Sequence, residues 1–185
     1  MKTMFLILAK LMHSAYGYEA LNLCFRIFPS TVIIYILKAY GAKIGNGVRI
    51  QPPFIIHNAD QMTPPFRNLE IQDNCYIGRY CIFDLQGQIT VEAKSTLSHR
   101  VVLNTHTNAG KSPLSEAKLP ISQGNICIKR GAYLGLNVTV LQDVEIGKES
   151  IIGANALVNK SIPDYSIAFG IPCKIHGSTI NPKPS

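Results

Sequence analysis

Several features that mark common classes of protein are missing from this sequence. Its five cysteines form no C-x-x-C pair, which argues against zinc or redox chemistry and favours a reducing compartment. Lysine and arginine form no run and do not interleave with aromatic residues, so nucleic acid is the weakest of the anionic partners that the formal net charge of +7 admits. A phosphate-rich ligand fits this charge better.

Long apolar runs are missing too. Charged residues and a proline interrupt residues 1–40 before any run reaches the roughly 20 residues of a membrane-spanning helix. The apolar residues 4–9 are too few for a signal peptide, and no small-residue cleavage site follows them. We therefore predict a cytoplasmic protein and leave open, as an alternative, peripheral contact of residues 1–40 with the inner face of the membrane.

The sequence does contain an apolar residue at every sixth position, in four blocks. These positions are Ile44, Ile50, Ile71, Ile77, Phe83, Val91, Leu97, Leu103, Ile128, Leu134, Val140, Ile146, Ile152 and Val158. Smaller residues form a second row: Val48, Cys75, Cys81, Ser95, Val101, Ala132, Val138, Val144, Ser150 and Ala156. Alternating strands would repeat with a period of two. The sixfold period instead predicts a parallel β-helix, in which short strands and corners coil around one shared core.

The predicted corners carry glycine or asparagine. One position after the large apolar residue come Gly45, Gly78, Gly135, Gly147 and Gly153. At the third position come Asn74, Asn137, Asp143 and Asn155. Glycine and asparagine tolerate positive φ, so we expect both sets to form corners in that way.

Residues before the first repeat predict a helical cap. Residues 4–38 have helical character, with Pro29 and Ser30 opening a second helix that runs through Tyr40 and ends at Gly41. Such a cap would cover the open edge of the first coil. The predicted organisation is a cap over residues 1–40, a β-helix over 41–175 and a tail over 176–185.

The repeat stops after Leu103. Residues 107–125 form an excursion rich in Gly, Ser, Pro and Lys, and the polar residues 104–108 with His106 stand at its start. A histidine where a regular coil extrudes a long loop is a candidate functional site.

Two stretches resemble a known family. Residues 102–108, VLNTHTN, are similar to the "hydrophobic, hydrophobic, x, T, H, D, H" stretch of hexapeptide-repeat sugar O-acetyltransferases, and residues 146–175 resemble that family's C-terminal signature. The lipopolysaccharide, capsule, maltose and galactoside acetyltransferases are the nearest members. The resemblance implies a left-handed coil and acetyl transfer from acetyl-CoA to a sugar hydroxyl in surface polysaccharide biosynthesis. It also implies a homotrimer whose sites lie between neighbouring coils.

The same resemblance implies roles for individual residues. His106 would be the general base, because an imidazole can accept and release a proton near neutral pH. Either Asp84 or Glu116 would orient the His106 ring. Asn104 would lie beside the acceptor, and Tyr133 beside the acceptor or the pantetheine arm. The predicted coenzyme A contacts are Gly153 and Ala154 for the pantetheine arm, Lys160 and Lys174 for the phosphates, and Asn159 as a polar neighbour of these lysines. For these last residues, ordinary packing or solvation is the alternative.

The sequence also bears on other bases and other functions. His99 is a rival base. A zinc carbonic anhydrase on the same coil would need three histidines, whereas His99 and His106 are seven apart and lack a third partner, so we predict no metal. A non-catalytic scaffold would be expected to have lost His106 and the C-terminal signature. The first alternative reaction is N-acetylation of a nucleotide-linked amino sugar, and the second is acetylation of serine.

Overall fold

The computed structural model describes residues 2–59 and 63–180, apart from the side chains of Lys2, Glu116 and Ala117. The helices are α1 (Lys2–Tyr16), α2 (Glu19–Ile27), α3 (Ser30–Ala39) and α4 (Leu114–Ala117). The first nine strands are β1 (Lys43–Ile44), β2 (Arg49–Ile50), β3 (Phe54–His57), β4 (Leu69–Ile71), β5 (Tyr76–Ile77), β6 (Cys81–Asp84), β7 (Ile89–Val91), β8 (Thr96–Leu97) and β9 (Val102–Leu103). The others are β10 (His106–Thr107), β11 (Ser122–Gln123), β12 (Ile126–Ile128), β13 (Tyr133–Leu134), β14 (Thr139–Val140), β15 (Val144–Ile146), β16 (Ile151–Ile152), β17 (Leu157–Val158), β18 (Ser166–Phe169) and β19 (Lys174–Ser178).

Three sheets form the faces of a prism. The first face is β1-β4-β7-β12-β15, the second β2-β5-β8-β13-β16-β18 with β19 at its end, and the third β3-β6-β9-β14-β17. Strands within a face pair in parallel, except β18 with β19. Each coil of the chain passes through all three faces in turn, and it stacks on the preceding coil. The parallel β-helix predicted from the sixfold period is confirmed.

Both predicted inward rows fill the core of the prism. The most exposed members are Ile44 at 7% in the row of large side chains and Val48 at 8% in the row of small ones. Cys75 and Cys81 are core residues as predicted, and burial raises the pKa of the Cys81 thiol to about 11. Since the two rows alternate large and small side chains, stacked coils enclose one continuous apolar core.

The corners use asparagine and glycine for different reasons. Asn137 and Asn155 adopt positive φ, at 59° and 60°, as predicted. The prediction for the glycines is wrong: Gly78 and Gly135 are not among the positive-φ residues. A Cβ on Gly78 would lie 2.6 Å from the main chain of Ser98, so these glycines are needed because the next coil passes too close for a side chain.

Two helices, α2 and α3, cover the first coil, and α1 packs on both of them. The helical character of residues 4–38 is divided at Gly17, which has φ +72°, so α1 and α2 are separate helices where one was expected. α3 begins at Ser30, as predicted. Asn22 of α2 binds both main-chain groups of Ile56 in β3, each at 2.9 Å, and fixes the cap to the coil. The helices within residues 2–59 and 63–180 are all too short or too polar to span a lipid bilayer.

The excursion after the third block is closed at its base. β10 and β11 pair antiparallel, joining His106 to Gln123 and Thr107 to Ser122, and α4 lies between them. At the other end of the chain, β19 folds back on β18 and runs to Ser178, three residues beyond the expected end of the coil at 175.

Candidate active site

His106 lies at the corner where the third face turns toward the first. The coil before it contributes Asp84, the last residue of β6, and the coil before that contributes Asn58, just after β3. The strand register brings these three residues close together, because His57 pairs with Asp84 and Phe83 pairs with Leu103. Three residues far apart in sequence are therefore stacked at one corner.

A short hydrogen bond joins His106 to Asp84, with 2.6 Å between Nδ1 and Oδ2. An ionised carboxylate can only accept, so Nδ1 carries the proton and donates it. The neutral ring then holds its lone pair on Nε2. The Asn58 amide lies 3.4 Å from both ring nitrogens, which is long for a hydrogen bond.

The Asp84 carboxylate is buried, with 2% of the residue exposed, and both of its oxygens accept hydrogen bonds. Oδ2 also accepts from the N–H and the hydroxyl of Thr105, at 2.9 and 3.0 Å. Oδ1 accepts from the Asn58 amide at 2.9 Å and from the Gln86 N–H at 3.3 Å. Burial alone would raise the pKa of Asp84, but the bonds from His106, Asn58 and Thr105 outweigh it and lower the pKa.

A cleft of about 290 Å³ opens at the histidine. Its lining residues are Asn58, Gln86, His106, Asn108, Ile121 and Gln123. The His106 side chain is 20% exposed, so the ring is held on one side by Asp84 and is accessible on the other. This arrangement can accept a proton from a group bound in the cleft.

The loop base is fixed by further side chains. Gln142 of the next coil donates to the Ser122 hydroxyl at 2.6 Å and accepts from Thr107 at 3.3 Å. The Asn104 amide donates to the His106 carbonyl at 2.8 Å. Asn104, predicted to lie beside the acceptor, therefore holds the main chain of His106.

The other predicted residues lie elsewhere on the coil. Asn159 and Lys160 follow β17 at the corner of His106, two coils further on. Gly153 and Ala154 stand at the opposite end of the third face, and Tyr133, 43% exposed, lies on the second face. A Cβ on Gly153 would lie 2.7 Å from the Cβ of Phe169, so packing alone requires this glycine.

The two remaining predicted site residues are Lys174 and Glu116. Lys174 is exposed and begins β19. Glu116 belongs to α4, but its side chain lies outside the described part of the chain. Asp84 is the carboxylate that contacts the histidine.

His99, the rival base, has a different environment. It is exposed, and its Nδ1 accepts the main-chain N–H of Arg79 at 2.9 Å. Among the residues that the structure describes, no group of three or more His, Cys, Asp or Glu could hold a metal.

Sequence reasoning missed Asn58 and the role of Thr105. Thr105 is fully buried, and its hydroxyl contacts Asp84 while accepting the Gly87 N–H at 2.9 Å. Its place beside His106 in the motif was the available signal. The sequence contains no such signal for Asn58, because only the stacking of coils brings this residue close to His106, 48 residues later in the chain.

Comparison with known proteins finds acetyltransferases that are similar to the chain. It is 32% identical over 149 residues to a galactoside O-acetyltransferase of Lactococcus lactis, covering 76% of this chain and 64% of that protein. It is 27% identical over 111 residues to an Escherichia coli protein named for O-acetyl transfer in lipopolysaccharide biosynthesis, covering 56% and 57%. The chain spans less than two thirds of the length of these relatives.

Structural comparison agrees with the sequence relatives, although no protein-family profile matches the chain. A hexapeptide-repeat-containing acetyltransferase of Vibrio cholerae, solved with acetyl coenzyme A, has a TM-score of 0.73 at 20% identity, covering 90% of this chain and 91% of that one. With its sixfold period and three-faced coil, the chain has the left-handed parallel β-helix fold of these hexapeptide-repeat acetyltransferases and is similar to members of that family in sequence.

Proposed function

We propose that the protein transfers an acetyl group from acetyl-CoA to a sugar hydroxyl in surface polysaccharide biosynthesis. The observation that carries the proposal is the 2.6 Å bond from His106 to the buried Asp84, with the other side of the ring accessible from a cleft. The galactoside O-acetyltransferase relative supports a sugar hydroxyl as acceptor, and the Escherichia coli relative supports the pathway. The relative solved with acetyl coenzyme A supports the donor.

His106 acts by moving one proton. Nε2 takes the hydroxyl proton as the sugar oxygen attacks the thioester carbonyl, since an un-ionised alcohol is a poor nucleophile. The C–O bond forms, the C–S bond breaks, and the imidazolium returns the proton to the departing sulfur. Asp84 stays ionised and stabilises the imidazolium while it exists. The chain supplies no covalent intermediate in this scheme.

Coenzyme A would contact the C-terminal coils. Lys160 and Lys174 are exposed, and within the described ranges neither pairs with a carboxylate, so both are available to the phosphates. Asn159 precedes Lys160 at the same corner. Ala154, exposed at the other corner, leaves the main chain accessible to the pantetheine arm, with Gly153 beside it.

The expected product is a sugar ester. Incubation with acetyl-CoA and a panel of saccharides should release one free thiol for each acetyl group transferred. Thiol release and product mass would be measured together, before and after mild alkali. An alkali-labile acetyl group is the expected result, whereas an alkali-stable amide would assign the enzyme to amino sugars. Failure to release thiol with every acceptor of both kinds would contradict acetyl transfer.

The third face supports assembly of copies. Its outward row is Ile55, Ile82, Val102, Thr139 and Leu157, whereas the outward row of the first face is Lys43, Glu70, Thr90, Cys127 and Glu145. An apolar outer row indicates a surface covered by another chain. Because His106 and Ala154 lie at opposite ends of this face, a copy packed on it could complete the site. We propose a homotrimer closed by this contact.

Val102→Lys should therefore convert the trimer into monomers and remove most activity, because an unpaired ammonium would be buried at the contact. Light scattering and the thiol assay would measure the two effects. Thr90→Lys, a matched substitution of a half-buried β-branched residue on the first face, should leave both unchanged. A parent protein that is an active monomer would disprove the assembly.

A further inference from the structure

The outer side of α1 is apolar where a surface helix is usually polar. Met4, Ile7, Leu8 and Leu11 are 61%, 55%, 45% and 63% exposed. Their spacing of three and four residues places them along one side of the helix. We call these four residues the α1 stripe. On the opposite side, Ala9 is buried, and Phe5, Leu6 and Met12 pack against the core.

Packing of the fold does not use the α1 stripe. α1 contacts α2 and α3, and these two helices cover the first coil. The apolar side of α3 is already occupied, because Val32, Ile33, Ile36 and Leu37 are all buried. A contiguous exposed apolar row on the outermost helix marks an interaction surface.

Positive charge is concentrated at the same end of the molecule. Residues 1–59 hold six basic residues and one acidic residue, Glu19, so they carry five of the seven net positive charges of the chain. The basic residues are Lys2, Lys10, Arg26, Lys38, Lys43 and Arg49. All of these except Lys2, whose side chain is not described, are exposed. Lys10 lies three residues after Ile7, at the flank of the α1 stripe.

The apolar α1 stripe and the positive charge around it together indicate which partner binds at this surface. Contact between two caps would bring positive charge against positive charge, which disfavours a second copy. An anionic lipid surface offers the complement of both features: its headgroups attract the basic residues, and the boundary of its acyl chains receives the apolar side chains. We propose that the α1 stripe docks the protein onto an anionic membrane surface. The docking is independent of the proposed reaction.

Flotation with lipid vesicles tests the docking on the full chain. The protein should bind vesicles of phosphatidylcholine with phosphatidylglycerol at least about tenfold more strongly than vesicles of phosphatidylcholine alone, and added salt should weaken the binding. Leu11→Glu should lower binding about tenfold or more, because it removes one buried apolar side chain and adds repulsion. Lys10→Glu should also weaken it and test the charge separately.

Ile171→Glu is the matched control, since Ile171 is 73% exposed at the far end of the coil and should not affect vesicle binding. Thermal unfolding of each variant would show that the fold is kept. The proposal is overturned by equal binding to both vesicles, by absence of binding, or by an equal loss in Ile171→Glu. A lower molar mass for Leu11→Glu in light scattering would assign the α1 stripe to another copy and overturn it as well.

Discussion

His106→Ala should lower kcat by about 10² to 10⁴-fold, the usual contribution of a general base. The base acts on the proton of the acceptor, so the KM for acetyl-CoA and the molar mass should stay close to those of the parent. Because the base works only when unprotonated, kcat/KM of the parent should fall on acidification. That acid limb should be absent from the residual activity of the variant. Steady-state kinetics across pH would measure all of these.

His99→Ala is the control for this experiment. His99 is exposed and bonded to the Arg79 main chain, so its loss should change kcat far less. A large loss at His99 with little at His106 would move the base to the other histidine. Little loss at both would contradict imidazole catalysis on this coil.

The core of the coil could be predicted because its period is local. A large apolar residue every six positions is a property of the sequence, and every such position proved to be buried. The conformations of the corner residues were harder to predict, because asparagine and glycine are both compatible with positive φ. Tyr80 and Arg100 also adopt positive φ, at 60° and 61°, and nothing about these residue types indicates it. Close approach of the next coil is a property of stacking, which a single hexad does not display.

The site was predictable where a motif or a residue type pointed to it. His106 stands at the interruption of the period, and Asp84 was one of two carboxylates proposed to orient it. Asn58 and the saturation of both carboxylate oxygens depend on register between coils, which the sequence does not give. The α1 stripe was missed for a related reason: residues 4–9 are apolar on all sides, and only the packed cap shows which side stays exposed.

Asp84→Asn should impair both catalysis and stability. The carboxylate accepts from Asn58, Gln86, Thr105 and His106, and the single amide oxygen cannot replace both of its oxygens. Each buried donor left unpaired costs about 1–3 kcal/mol in the free energy of unfolding. Loss of the charge removes the partner of the imidazolium, worth about 1.5–3 kcal/mol. That corresponds to a drop in kcat of about 10 to 10²-fold.

The stability difference between the parent and Asp84→Asn should depend on pH in one direction. Hydrogen bonds hold the pKa of Asp84 below its ordinary value of 3.8 in the folded protein, so its ionised form stabilises the fold. This contribution is complete above 3.8 and is lost as the pH falls through the lower folded pKa. Urea unfolding at fixed protomer concentration, from neutral pH to below pH 3.8, should therefore show the two proteins converging only in acid. A difference that stays constant, or grows on acidification, would mean that Asp84 is not held ionised by His106, Asn58 and Thr105.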